Sequence, residues 1–270
     1  MFEILILSLV QGITEFIPIS SSSHLIILSD FVGFENQGLS LDVSLHIGSF
    51  IAVITYFHKD IINFVSNKVL FLKIFISSLP VMIIGFLLIQ TNLIEMLRNI
   101  EIIGWTTLIF GLLLYVSDKF TFENNIEKDF SYKSAILIGI FQILSLVPGA
   151  SRSGITITAA RILKFNRVDS AKISFLLSIP TLAAVSIFGL KNVISSDDIN
   201  FSILNILAMQ KILDMKITMK LAINLLYHLQ LDIILLNLEF GHKLIIVYGQ
   251  QVQMIVMEHT MTLNFLKLIN

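Results

Sequence analysis

Residues 69–89, 100–117 and 173–190 are apolar runs whose only charged side chains are Lys73 and Glu101. Each is close to the ~20 residues a helix needs to cross hydrocarbon. Lipid offers no partner to a backbone N–H or C=O, so such runs must satisfy their own hydrogen bonds as helices. The run at 43–57 is shorter and spans only if it extends into its flanks. Composition agrees: 55% of residues are hydrophobic, 14% are charged and the mean hydropathy is +0.87. Soluble domains carry roughly a quarter charged residues. The expected fold is an all-α polytopic membrane protein, with residues 1–270 forming one membrane domain.

Two further apolar runs are broken. Residues 1–17 are interrupted by Gln11 and Glu15 and stopped by Pro18; residues 134–147 are too short to span and end at Pro148-Gly149. A second apolar stretch follows each break, at 25–34 and at 155–163. Such pairs read as re-entrant hairpins, tolerated where the backbone is buried in protein or faces a wet cavity. Single kinked spanning helices are the simpler alternative. The two breaks share the pattern Pro-x-x-Ser-x-Ser at an offset of 130: Pro18/Pro148, Ser21/Ser151, Ser23/Ser153.

With both pairs as hairpins, the three runs between them bring the hairpins in from opposite faces. One set of ends holds Lys59, Lys68, Lys73, Lys119, Lys128, Lys133, Lys164, Arg167 and Lys172, while the other holds mainly Arg98 and Lys191. The positive-inside rule makes the lysine-rich side cytoplasmic, so the first hairpin enters from outside. Ser78-Leu-Pro80 and Ser178-Ile-Pro180 form a weaker echo. Two inverted-topology repeats, about 1–117 and about 134–270, with two hairpins and about six spanning helices, would place a site near the midplane. A net charge of −1 argues against a nucleic-acid partner. No cysteine is present, which excludes disulfides and thiolate chemistry. Glu3 and the lack of a basic n-region do not read as a cleaved signal peptide, so the first helix is expected to be retained.

Polar residues at membrane depth usually mark function. Pro148-Gly-Ala-Ser-Arg-Ser-Gly154 suits an oxyanion: glycines admit close backbone approach, a following helix aims its positive end at the anion, and Ser151, Ser153 and Thr156 add hydroxyls. Arg152 offers a planar fork for phosphate oxygens, or it pairs with Glu15 and holds the hairpins together; the two roles can coexist. In the first loop Ser20 to Ser23 are hydroxyls and His24 exchanges protons near neutral pH. Glu15, about two turns before Ser21, can act as base, orient His24 or, with Gln11, hold Mg²⁺ or Ca²⁺. A hydroxyl beside a base is the arrangement of nucleophilic catalysis, although one or two of the serines serve equally as helix caps. His46, four residues after Asp42, is a candidate supporting group. Gln142 is expected to hydrogen-bond a neighbouring helix or loop.

Gln11-Gly-Ile-Thr-Glu15-Phe-Ile-Pro18-Ile-Ser-Ser-Ser-Ser-His24-Leu resembles the first signature of the undecaprenyl-diphosphatase (bacitracin-resistance) family, and Pro148-Gly-Ala-Ser-Arg-Ser-Gly154-Ile-Thr156 its second. The similarity extends over roughly residues 1–195. It implies a multi-pass bacterial inner-membrane enzyme that hydrolyses undecaprenyl diphosphate to the monophosphate. That reaction recycles the carrier for cell-wall synthesis and confers bacitracin resistance, with the site towards the outer face. Residue by residue, the resemblance implies Glu15, Ser21, His24 and Arg152 as catalytic. It implies Gln11, Ser151, Arg152, Ser153, Gly154 and Thr156 as substrate-binding, and promotion by Mg²⁺ or Ca²⁺ held by Glu15 and Gln11. Partners are the polyprenyl diphosphate and the bilayer, with a homodimer as the candidate assembly.

Two departures stand out. Ser22 and Ser23 replace the family's Thr-Gly, and a serine before His24 has less backbone freedom than glycine. From about 203 the chain does not match the family's closing helices. All four prolines, 11 of 13 glycines and 19 of 21 phenylalanines precede residue 202, while six of nine methionines follow it. That shift at preserved length suggests a frameshifted tail. The rival functional class is a transporter or flippase for a phosphorylated lipid or another anion, because inverted repeats with broken helices are also transporter architecture.

Overall fold

The computed structural model describes residues 2–34, 39–91, 93–119 and 124–195, together with 246–248 and 251–253. The expectations for the tail from about 203 lie otherwise outside the described residues.

Between residues 2 and 195 the described chain is helical. In order come α1 (Phe2–Thr14), α2 (Ser21–Val32), α3 (Leu39–Tyr56), α4 (His58–Ser66), α5 (Lys68–Gln90), the short α6 (Leu93–Met96) and α7 (Ile100–Asp118). Then follow the short α8 (Ile126–Asp129), α9 (Tyr132–Gln142), a 3-10 turn over Ile143–Leu146, α10 (Arg152–Ile162) and α11 (Arg167–Ser195). The tail departs from the all-α expectation: β1 (Ile246–Tyr248) pairs antiparallel with β2 (Gln251–Gln253), Val247 opposite Val252. Ile246, Val247, Tyr248 and Val252 are the β-branched and aromatic types that suit a pleated surface.

Helices α5, α7 and the Arg167–Gly189 part of α11 are each long and apolar enough to cross a membrane. The run expected at 43–57 lies in α3, which bends by 80° into α4, and that pair meets the same criterion only as one broken span. Helix α5 shows how lipid sorts side chains. Val69, Leu72, Phe75, Leu79, Ile83 and Phe86 lie exposed along one helical face. Ser77, Ser78 and Gly85 are among those buried against the other helices. Lipid tails match leucine in polarity, so small and polar residues belong at helix contacts and large apolar ones outside. Against Gly139 of α9, a Cβ would come 2.2 Å from the carbonyl oxygen of Ser77, so only glycine allows α9 and α5 this close.

Both broken pairs are built alike. Proline ends the approach, and a serine at the N-cap starts the next helix: Ser20 Oγ accepts from Ser23 N–H at 3.4 Å and Ser151 Oγ from Gly154 N–H at 3.2 Å. Ser or Thr at this position satisfies one of the unpaired N–H groups at a helix start. The second break also needs Gly149, which has a φ of +97° and no room for a side chain, since a Cβ would lie 1.9 Å from Thr106 Oγ1. Thr106 of α7 then pins the break by donating to the Pro148 carbonyl at 2.6 Å.

Two apolar clusters flank the breaks. Ile4, Leu7, Phe16, Leu25, Leu41 and Leu45 join α1, α2 and α3. Ile74, Ile138, Ala160, Phe165, Ile173 and Leu177 join α5, α9, α10 and α11. Helix α11 enters both, through Leu182 and Leu177. The proline echo falls on helices that do not correspond. Pro180 lies on the long helix directly after its broken pair, whereas Pro80 lies on α5, with α3 and α4 intervening.

Candidate active site

Glu15 follows the last turn of α1, where Pro18 prevents further helix, and it is almost completely buried. A carboxylate placed there needs partners, because removing it from water costs several kcal/mol. It has four. Arg152 Nη2 meets Oε1 at 2.5 Å. Oε2 accepts from Gln11 Nε2 at 2.9 Å and from Ser21 Oγ at 2.9 Å, and His46 Nε2 lies 3.3 Å away. Ser21 is the first residue of α2 and Arg152 the first of α10, so the N-terminal ends of both post-break helices converge on one carboxylate.

The loops touch directly as well. Ser153 Oγ donates to the Ile17 carbonyl at 2.8 Å. A Cβ at Gly154 would stand 3.5 Å from the Pro18 carbonyl and 3.1 Å from Ser151 Cβ. Arg152 is steadied from α11 by Thr181, whose Oγ1 accepts from Nη1 at 3.1 Å. Beside this cluster lies a small cleft lined by Glu15, Arg152, Ser153 and Ser174 together with Phe16 and Phe175.

A scan of family models matches residues 4–229 to the bacitracin resistance protein BacA family. An undecaprenyl-diphosphatase of Pelagibacter ubique is 48% identical over 204 residues, covering 75% of this chain and 80% of its own length. Namesakes from Jannaschia and Roseobacter denitrificans are 43% and 44% identical over 212 and 197 residues, covering 73% and 68% of this chain and 79% and 74% of their own. The chain belongs to the BacA family. The match runs on past residue 203, where the sequence motifs suggest that the likeness to the family ends, as far as residue 229, and leaves 230–270 outside it. Family membership and the apolar helices together make this a multi-pass membrane protein.

Of the residues that the family signatures single out, the structure gathers Gln11, Glu15, Ser21 and Arg152 into one hydrogen-bonded cluster. The other hydroxyls are occupied by the scaffold. Ser151 caps α10, Ser153 bridges to Ile17, and Thr156, fully buried, donates to Ser174 Oγ at 2.8 Å. His24 is not brought onto Glu15: its Nδ1 donates to the Ser20 carbonyl at 2.7 Å, one turn back along α2. The histidine that meets Glu15 is His46, and its four-residue spacing from Asp42 was the only signal of it in the sequence. Ser23 sits inside regular α2 with no left-handed φ, so the loss of glycine there introduces no backbone strain. Gln142 differs from expectation, being fully buried with neither amide atom hydrogen-bonded.

Among the described residues no group of three or more histidine, aspartate or glutamate side chains gathers around one point. Even so, Gln11 Oε1 is buried without a partner next to the Glu15 carboxylate. This one free oxygen beside a carboxylate is of the type that Mg²⁺ or Ca²⁺ takes, with substrate phosphates and water completing the shell. Both Glu15 oxygens already accept from Arg152, Gln11, Ser21 or His46, however, so Glu15 would have to release a donor to join it.

Proposed function

We propose that this protein is a membrane phosphatase that cleaves undecaprenyl diphosphate to undecaprenyl phosphate and inorganic phosphate, thereby recycling a cell-wall lipid carrier. The observation that carries the reading is that one buried carboxylate, Glu15, accepts a hydrogen bond from the Ser21 hydroxyl and pairs with Arg152. A transporter needs an anion cradle but no hydroxyl aligned on a base.

In this reading the diphosphate lies at the meeting of the α2 and α10 N-termini, where helix ends favour anions. Arg152 presents guanidinium N–H groups to its oxygens. Ser21 Oγ, or a water held in its place, attacks the terminal phosphorus while Glu15 Oε2 takes the proton. The bond from that phosphorus to the bridging oxygen breaks, and the lipid monophosphate leaves with that oxygen. Where Ser21 is the nucleophile, water then releases phosphate from the serine. His24, one turn into α2, is the candidate for returning the proton. Glu15 and Gln11 Oε1 would hold Mg²⁺ or Ca²⁺, which supplies charge neutralisation on the diphosphate oxygens. Ser151, Ser153, Gly154 and Thr156 contribute by fixing Arg152 and the α10 N-terminus, and the apolar cleft walls accept the first part of the lipid tail.

The two broken pairs are read as re-entrant hairpins of two inverted repeats, within a fold of about six spans. Arg98 and Asp42 meet at one end of α7, whereas Asp118 at its other end pairs with Arg161 and Arg167. That grouping puts Arg161 and Arg167 at the lysine-rich end, in keeping with a cytoplasmic side there. The bacterial inner membrane and a site opening to the outer face are what the family resemblance implies, and a homodimer is the candidate assembly. Release of inorganic phosphate from a polyprenyl diphosphate by the purified chain tests the function. Lipid translocation without phosphate release would replace it with the transporter reading.

A further inference from the structure

Three donors converge on Glu15 Oε2, and one of them comes from neither broken pair. His46 lies on α3, with its Nε2 3.3 Å from that oxygen. Its other ring nitrogen, Nδ1, stands 2.7 Å from the Asp42 carbonyl. A carbonyl oxygen only accepts, so Nδ1 carries a hydrogen there, which fixes the ring plane and turns Nε2 towards Glu15. For Nε2 to donate as well the ring must be the imidazolium, so the contact with the carboxylate is an ion pair. The same turn of α3 is clamped from outside, because the Asp42 carboxylate accepts from Arg98 Nη1 at 2.8 Å and both side chains are largely shielded from solvent. A continuous set of contacts therefore runs from the residue just before the α7 N-cap, through Asp42 and His46, to the carboxylate that faces Ser21.

We propose that His46 is a positioning residue for the phosphatase reaction. Its Nε2–H holds Glu15 Oε2 in line with Ser21 Oγ, and the Arg98–Asp42 pair fixes the helical turn from which it reaches. His46 acts through Glu15 and has no need to touch the diphosphate. The inference rests on the phosphatase reading and adds to it a third support for the base, from outside the two signature loops. With His46 gone, Oε2 would keep Gln11 and Ser21 but lose the restraint on its α3 side. A buried carboxylate short of one donor settles into other orientations, and the Ser21 hydrogen bond moves with it.

The test compares the full-length protein with His46→Gln and His46→Met, measuring phosphate release from a polyprenyl diphosphate at saturating and limiting substrate. Glutamine places an N–H near the position of Nε2, whereas methionine fills a similar volume with no N–H. His46→Gln is expected to keep kcat within about fivefold, and His46→Met to lower it about 10- to 100-fold, as suits one lost hydrogen bond to a charged acceptor. KM should stay within about twofold in both. Equal losses in the two variants, a loss confined to KM, or near-normal kcat in His46→Met would each overturn the proposal. His46→Gly assayed with free imidazole gives a second reading: recovery is expected, and no recovery counts against it. Absence of phosphate release by the unsubstituted protein would instead sink the phosphatase reading, a result separate from any difference among the variants.

Discussion

Glu15 and Arg152 are 137 positions apart in the chain and form an ion pair at 2.5 Å. The pair joins the first broken segment to the second, and it lies where both helix N-termini point. Removing one partner leaves the other as a buried, uncompensated charge, a loss worth about 3–5 kcal/mol. Arg152→Ala should therefore lower the unfolding midpoint in detergent as well as abolish phosphate release. Arg152→Lys keeps the charge but loses the fork that reaches Glu15 and Thr181 together, so it should fold better than alanine and still lose at least about 100-fold in activity. Equal activity in the lysine variant and the unsubstituted protein would remove the fork from the mechanism.

Glu15→Gln separates base from scaffold. An amide keeps the shape and some of the hydrogen bonds, but it takes no proton from Ser21. General-base catalysis contributes about 10²- to 10⁴-fold, so activity should fall by that order while the protein stays monodisperse. Ser21→Ala should fall comparably if the serine is the nucleophile, and a brief acid quench of the unsubstituted enzyme should then trap phosphate on Ser21. Substantial turnover by Ser21→Ala with no trapped phosphate would assign the attack to water.

Much of this is legible in the sequence. Proline and serine residues 130 positions apart announced two similar breaks, and polar residues in apolar runs announced the site, because lipid penalises both unless they are used. The pairing of Glu15 with Arg152 was foreseen as the simpler role for the arginine, and the structure contains it alongside the geometry that suits phosphate. Partner choice was harder to read. His24 lies closer in sequence to Glu15 than His46 does, yet the helical turn at Ser20 captures His24 Nδ1, while the approach of α3 depends on apolar packing around Leu41 and Leu45 that no local motif encodes. The scaffold duties of Ser151, Ser153 and Thr156 were hidden for the same reason, since their partners Ile17 and Ser174 lie on other elements.

Gly149→Ala tests the architecture of the second break without touching the chemistry. The residue has a φ of +97°, and an added Cβ would lie 1.9 Å from Thr106 Oγ1 and 2.8 Å from the Ile103 carbonyl oxygen. The left-handed backbone alone costs about 1 kcal/mol for a side chain, and the overlap adds to it. The unfolding midpoint should drop by several degrees. Adding Thr106→Ala should recover only part of the loss, because the Ile103 carbonyl remains in the way and the bond to Pro148 is gone. Full recovery in the double variant would mean that the threonine alone enforces the glycine.

Cation dependence should follow from Gln11 Oε1, which is buried and unpaired beside Glu15. Chelation is expected to suppress phosphate release, and added Mg²⁺ or Ca²⁺ to restore it. In Gln11→Leu the cation concentration for half-maximal activity should rise several-fold, and the unfolding midpoint should fall as well, because Glu15 loses the Nε2 donor. Unchanged activity after exhaustive chelation would remove the ion from Glu15 and Gln11.

The orientation can be tested directly because the chain has no cysteine, so any introduced thiol is the only one. Thr91, just after α5, is exposed and lies on the Arg98 side, whereas Lys128, exposed in α8, lies on the lysine-rich side. The positive-inside rule expects the Lys128 side, with its excess of basic residues, to be cytoplasmic. Thr91→Cys should react with a membrane-impermeant maleimide added to intact cells, and Lys128→Cys only after the membrane is permeabilised. The reverse pattern would invert the topology and put the Glu15–Arg152 site on the cytoplasmic side. Labelling of both positions in intact cells would mean that the intervening α7 does not cross the bilayer.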